Sequence, residues 1–344
     1  MRLFGERVFF AKTACIHWAS GVQTRPFEAG KEAALFTIYH WEGGGLKETP
    51  TLTGACWINL ADPSTEEITR VQELTKVPRE FLTDPLDKDE RPRLEIEEGV
   101  TLLIFHVPYH EPHENLIPFH TLPLGIVLTD TTVITICNRQ TPVTSTFLDQ
   151  IRRVCPPEDQ FRFAFQILWH SAILYLRYLR DIRQRADMVE QDLHESISNE
   201  ALMRLLNIEK SLVYFTTSLK ANDILIGRLE HTRQLDIPDK DLDVLEDVAV
   251  EYRQALEMAT IHSNILTGTL DTFASIISNN LNNVMKYLTS ITIVLMLPTL
   301  VASIYGMNVH LPMQEYPHAF AVLMGLSVVI SFIVVIVLAR RRFF

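Results

Sequence analysis

The sequence predicts a membrane α-helical protein in three parts: an N-terminal α/β domain, a long helical stalk and two transmembrane helices at the C-terminus. Three observations predict it. Lys, Arg, Asp and Glu are absent between Lys286 and Glu315, and again between Glu315 and Arg340. From Gln160 to the first apolar run, proline occurs only at Pro238. Short β-type runs alternating with helical stretches are confined to the region before Cys155.

Composition narrows the class further. Of the 344 residues, 47% are hydrophobic and 21% charged, too apolar for a disordered chain. Thirteen glycines and seventeen prolines exclude collagen-like or low-complexity sequence. Against 42 Asp+Glu stand 31 Lys+Arg, a formal net charge of −11 with no segregated basic run, so no nucleic-acid partner is expected. Acidity suits a cationic partner. Cys15, Cys56, Cys137 and Cys155 form no CxxC and are expected as buried, reduced thiols. The N-terminus carries no apolar signal region, which leaves the bulk of the chain on the cytosolic side.

Residues 1–158 read as a cytosolic α/β domain. Its β-type runs are Leu35–His40, Cys56–Leu60, Val100–Val107, Pro123–Leu128 and Val133–Cys137, with helices at Thr65–Thr75 and Phe147–Val154. Asp130-Thr131-Thr132 reads as a hairpin turn between the last two strands. Residues 159–238 hold two long antiparallel helices, Phe161–Ser198 and Glu200–Arg233. Residues 239–306 form a stalk helix that starts on Asp239 or Asp241, where acidic side chains suit the helix dipole, and runs into the first span. At 1.5 Å per residue it would be about 100 Å long, which needs neighbours for stability. Pro298 is expected to bend it.

The first charge-free interval, Tyr287–Gly306, is about 20 residues or about 30 Å of helix, enough to cross a bilayer. Residues 307–318 form an extracytoplasmic loop, residues 319–339 the second span and residues 340–344 a basic tail. The loop carries Glu315 and no Lys or Arg, whereas Lys286 and Arg340, Arg341 and Arg342 flank the spans. This bias places both termini in the cytoplasm of an inner or plasma membrane, with lipid around two spans.

One face of the stalk is unusual. Ser303, Thr299, Met296, Thr292, Thr289, Met285, Asn282, Ser278, Ser275 and Asp271 follow one another at alternating intervals of four and three. That is a heptad seam, normally Leu or Ile, here mostly small or polar. Such hydroxyls can bond back to their own helix or pack against a neighbour. Ten in register, reaching from the membrane to Asp271, favour a hydrated lumen. One helix cannot enclose a lumen, so a cyclic homo-oligomer is expected, a membrane α-helical channel. Met285, Leu288 and Met296 would be apolar constrictions, Asn282 a ring of amide oxygens and Asp271 a ring of carboxylates at the inner mouth.

Tyr305-Gly306-Met307-Asn308, directly after this helix, resembles the signature of the CorA magnesium transporter family. Asn283-Val284-Met285-Lys286-Tyr287-Leu288-Thr289 at the membrane entrance, the two-span end and the basic tail extend the resemblance over nearly the whole chain. It implies a funnel-shaped homopentamer conducting Mg²⁺, and often Co²⁺ or Ni²⁺, with Gly306, Met307 and Asn308 shaping the outer mouth. It also implies closure by cytosolic Mg²⁺ at carboxylates between protomers. The matching positions are Asp84, just before Arg91-Pro92-Arg93-Leu94-Glu95, and Asp247 in Glu246-Asp247-Val248; Asp87, Asp89, Glu246 and Glu251 could substitute. Ser303 stands where the family commonly has glycine.

Other functions have less support. His106, His110, His113 and His120 lie near Glu111 and Glu114, yet their spacing matches no standard zinc ligand set. No HExxH, GxSxG or kinase pattern occurs, so no enzyme is expected. The alternative function is a zinc transporter of the same superfamily, with or without proton coupling; its signature usually carries Ile where Met307 stands. A non-conducting regulator would leave the polar seam without a purpose.

Overall fold

A computed structural model describes residues 36–42, 45–52, 54–111, 117–151, 156–195, 198–232, 234–307 and 317–341. Cys15, Cys155, His113, Glu114, Asn308, Glu315 and Arg342 lie outside the described residues.

Seven strands form one mixed sheet: β1 (Phe36–Glu42), β2 (Gly45–Glu48), β3 (Cys56–Ala61), β4 (Arg93–Glu97), β5 (Val100–His110), β6 (Phe119–Leu128) and β7 (Thr132–Cys137). Their order is β2-β1-β3-β7-β6-β5-β4, with β3 and β7 parallel and every other pair antiparallel. Between β6 and β7 the Thr129 N–H donates to the Thr132 carbonyl at 3.0 Å, closing the hairpin expected around Asp130. β2 and β4 were not expected. Both are edge strands, where one side faces solvent and apolar alternation is not required.

Alternation along β3 builds two layers. Ile58 and Leu60 pack with Ile68 and Val71 of α1 (Thr65–Thr75) and with Phe81 and Leu82 of α2 (Arg79–Thr83). Ser64 and Glu67 close a reciprocal capping box at the start of α1, and Lys76 ends it in the left-handed region. Trp57 points the other way. It meets Phe147 of α3 (Pro142–Ile151) and Phe163 of α4 (Gln160–Glu195) edge-on, and its indole N–H donates to Thr135 at 2.9 Å. Helices therefore cover both faces. α3 starts five residues earlier than expected because Pro142 is preorganised for a first helical turn. Cys56 and Cys137 are both buried; burial pushes the Cys137 thiol up to about 11, so it is chemically inert.

Three long helices follow: α4, α5 (Asn199–His231) and α6 (Asp239–Tyr305), then α7 (Ala319–Arg340). α6 has 67 residues and contains Pro298 without ending there. Two helices, α6 and residues Phe320–Arg340 of α7, are long and apolar enough to cross a membrane. The chain divides into two compact units, residues 1–182 with 210–260, and residues 183–209 with 261–344. The divisions fall inside α4, α5 and α6. In the second unit Arg204 pairs with Asp192 at 3.2 Å, Thr267 donates to Glu209 at 3.1 Å, and His194 lies 5.5 Å from the Phe273 ring.

Candidate functional site

The polar seam is one exposed face of α6. Asp271, Ser275, Ser278, Asn282, Met285, Thr289, Thr292, Met296, Thr299 and Ser303 are all exposed in the single chain, as is Leu288. Ser290 is fully buried, and Val294, Leu297, Pro298, Val301 and Tyr305 are half-buried. At 3.6 residues per turn this covered stripe lies roughly half a turn from Thr292, Met296, Thr299 and Ser303. α7 has a covered stripe of its own at Leu323, Ser327, Ile330, Val334 and Leu338. The covered stripe is narrow: apolar side chains beside it, among them Leu281, Val284, Ile291, Leu295 and Leu300, are exposed in the single chain, as the polar seam is.

Several seam hydroxyls bond to their own helix. Thr292 donates to the Leu288 carbonyl at 2.8 Å, Thr299 to Leu295 at 3.1 Å and Ser275 to Asp271 at 3.0 Å. This has a chemical consequence. A hydroxyl that has spent its one hydrogen on the backbone presents only acceptor lone pairs outward. Metal-bound water presents hydrogens outward, so a row of such oxygens matches the shell of a hydrated cation.

At the end of α6 the Gly306 N–H bonds to the Ala302 carbonyl at 2.9 Å and the Met307 N–H to Ile304 at 3.3 Å, a tightened last turn. A Cβ added to Gly306 would lie 3.3 Å from the Ala302 oxygen, so glycine lets the backbone close there without crowding. The remaining C-terminal carbonyls carry the negative end of the helix dipole, which suits a cation.

In the first unit, Asp84 opens a 3₁₀ turn, Asp84–Leu86, that is fastened to the sheet. Pro85 sits over Gly125 of β6, where any Cβ would collide with the proline ring. Asn138 donates to the Leu86 carbonyl at 3.4 Å. Further along, a ring nitrogen of His106, Nε2, lies 2.9 Å from the Glu90 carbonyl and must carry the proton. The Asp84 carboxylate accepts from Arg93 Nη2 at 2.6 Å, and Arg93 also engages Glu90 and, at 3.0 Å, Glu95. Sequence reasoning missed Arg93. Its signal was the two-residue spacing to Glu95, which puts both on one face of β4.

Asp247 and Glu246 are exposed on α6, and neither forms an ion pair among the described residues. Burial, and then the Asp247 charge one turn away, raise the Glu251 carboxyl above its ordinary value. Within one chain no hydrogen bond or ion pair joins Asp84 to Asp247 among the described residues. No three His, Cys, Asp or Glu side chains among them converge to hold a metal ion. His110 pairs in register with Phe119 and His120 with Tyr109, so successive-residue alternation sends the two histidines to opposite faces.

His106 is instead a buried structural group. Its Nδ1 lies 3.0 Å from the Ser218 hydroxyl, while Asn222 brackets its backbone with bonds of 2.9 and 2.8 Å. Burial pushes its pKa below the ordinary histidine value despite the Glu90 contacts, and burial does the same to His170. Below about pH 6.5 the unfolded chain therefore binds protons that the folded chain resists, and stability falls with pH in that range. Melting temperatures of the full-length protein should be flat above pH 7 and decline from pH 6.5 to 5. His106→Gln should make the decline shallower without abolishing it, since His170 remains; an unchanged slope would contradict the assignment.

Residues 53–341 match the model of the family described as "CorA-like Mg2+ transporter protein". The chain is 29% identical over 292 residues to the cobalt/magnesium transport protein CorA of Methanocaldococcus jannaschii, covering 83% of this chain and 90% of that protein. It is 24% identical over 310 residues to the cobalt/magnesium transport protein CorA of Thermotoga maritima, covering 86% of this chain and 83% of that protein. The complete structure of the Methanocaldococcus jannaschii CorA magnesium transporter superposes with a TM-score of 0.81 at 25% identity, covering 91% of this chain and all of that one.

Proposed function

This chain belongs to the CorA-like Mg2+ transporter family, and on that premise we propose that it assembles as a homopentamer and admits Mg²⁺, with Co²⁺ or Ni²⁺, driven by membrane potential. Membership makes it a membrane ion transporter and not an enzyme. The observation that carries the reading is the open face of α6, where acceptor-only oxygens of Thr292 and Thr299 lie one heptad apart on the same side.

Mg²⁺ gives up its water reluctantly, so a path that touches the hydration shell costs less than one that strips it. Asn308 at the outer mouth would offer amide oxygens to that shell. Below it, Thr299, Thr292 and Thr289 would offer hydroxyl oxygens, with Met296, Leu288 and Met285 narrowing the path between them. Asn282 and Asp271 would receive the ion on the cytosolic side. A divalent ion crossing inward gains about 4.6 kcal/mol per 100 mV of inside-negative potential, enough to drive accumulation without ATP. The orientation with both termini in the cytoplasm follows from Lys286 and Arg340.

Asp84 and Asp247 would hold a regulatory Mg²⁺ between neighbouring protomers. Their oxygens are the hard donors that ion prefers, and two carboxylates with retained water suit it better than a full protein cage. Occupied, the site would join protomers and keep the path shut. Emptied, the acids repel and loosen the ring.

Ion uptake into proteoliposomes carrying an inside-negative potential tests the reading. Mg²⁺ should enter and stop entering as internal Mg²⁺ rises. Zn²⁺ entry that depends on a proton gradient, with no Mg²⁺ signal, would replace it with the zinc reading.

A further inference from the structure

We propose that Arg93 is a tethered cation that competes with Mg²⁺ for Asp84 and so sets how much cytosolic Mg²⁺ closes the path. The inference rests on the reading of Asp84 as a regulatory carboxylate and adds to it a residue that tunes the response.

Each nitrogen of the Arg93 guanidinium is assigned to a different acid. Nε donates to Glu95 at 3.0 Å, Nη2 to Asp84 at 2.6 Å and Nη1 to Glu90. The Arg93 side chain is 29% exposed and those of Asp84 and Glu90 are 32% and 22%, so the group is partly sheltered. An isolated surface pair would carry little weight. Here both sides are held. Arg93 pairs with Ile104 in the β4–β5 ladder, and the acidic segment is fixed by Pro85 on Gly125, by Asn138 on the Leu86 carbonyl and by His106 on the Glu90 carbonyl. The reach from Arg93 to Asp84 is therefore built into the sheet rather than chosen by a loose side chain.

The charges explain why such a competitor can yield. Three carboxylates around one guanidinium leave a local charge of −2, which attracts a further cation. If Asp84 turns to Mg²⁺, Glu90 and Glu95 still neutralise Arg93. The exchange therefore gives up one charge-assisted hydrogen bond and strands no bare cation. Asp247 has no such counter-cation among the described residues, and Glu251 stands one turn from it. One carboxylate is thus partly neutralised in advance while the other is not. Arg93 raises the Mg²⁺ concentration needed for closure without preventing closure.

The test uses full-length protein in detergent, titrated with Mg²⁺ alone, and reads the midpoint for protection against limited proteolysis and for the rise in melting temperature. Arg93→Gln should lower the midpoint by roughly three- to tenfold, the range expected for removing one partly exposed, well-formed ion pair. Arg93→Lys, which keeps the charge but not the three-way fork, should lower it less. In an Asp84→Asn background, Arg93→Gln should produce no further shift. An Arg93→Gln midpoint that is unchanged or raised, while Asp84→Asn weakens the response, would overturn the inference and leave Asp84 in its regulatory place. An Asp84→Asn midpoint equal to that of the parent would overturn the regulatory reading itself, and this inference with it. Should Arg93→Gln fail to fold, Arg93→Lys decides, and an unchanged midpoint there overturns the competition.

Discussion

Replacing Asn308 with alanine is expected to abolish Mg²⁺ entry while leaving the assembled protein intact. The residue is next in sequence to the tightened turn of Gly306 and Met307, and on the proposed reading it belongs to the outer mouth. An amide oxygen accepts from the waters of Mg²⁺ without displacing them, whereas alanine offers nothing to that shell. Each lost neutral hydrogen bond weakens ion capture by about 0.5–1 kcal/mol, and in the proposed five-membered ring this would compound to roughly a hundredfold or more. Uptake of Mg²⁺ should fall to the level of protein-free liposomes, with the size-exclusion profile unchanged. Normal uptake by Asn308→Ala would remove the outer mouth from the ion path, and normal physiology without uptake in the parent would point to a non-conducting regulator.

Replacing Thr289 and Thr292 together by leucine should have an effect of similar size. Both lie on the open face of α6, and Thr292 has already committed its hydroxyl hydrogen to Leu288, leaving acceptors outward. Leucines there would extend the apolar constriction between Met285 and Met296 into one continuous dry segment, and a dry segment excludes a hydrated divalent ion. Uptake is expected to drop by about a hundredfold, in line with the cost of leaving the ion's shell unmatched over two further turns. Thr289→Ser with Thr292→Ser keeps the hydroxyls and should conduct. Loss of uptake in the serine variant as well would assign these positions to helix packing rather than to the path.

Much of this architecture is legible from the residues because it is written in long-range absences. A stretch of 20 positions without charge, or a run of 59 without proline from Asp239 to Leu297, leaves few structural alternatives, and α6 and α7 follow. Edge strands leave no such mark. β4 alternates Arg93, Glu95 and Glu97 on one side with Leu94 and Ile96, which are only half-buried, on the other. The polar seam could be read from heptad spacing, since one helix face depends on local geometry alone. The Arg93 contacts could not, because they require the β4–β5 register and a loop held by Gly125, Asn138 and His106, all distant in sequence. The placement of the histidines depends on the same register. Closeness in sequence suggests a cluster, whereas strand alternation separates His110 from His120, and His106 is committed to Ser218 and the Glu90 carbonyl.

Water access along α6 is the most direct measure of whether its open face lines the ion path. Cysteine placed singly at Thr289, Thr292, Met296 and Thr299, and in contrast at Val294, Leu297 and Val301, can be challenged with a charged, membrane-impermeant thiol reagent in Mg²⁺-free buffer. The native Cys56 and Cys137 thiols are buried, and the unsubstituted protein sets the background. Cysteines on the first set should react and block Mg²⁺ uptake, while those on the second should stay unmodified. Reaction confined to the second set, or equal on both, would contradict a lumen along the polar seam.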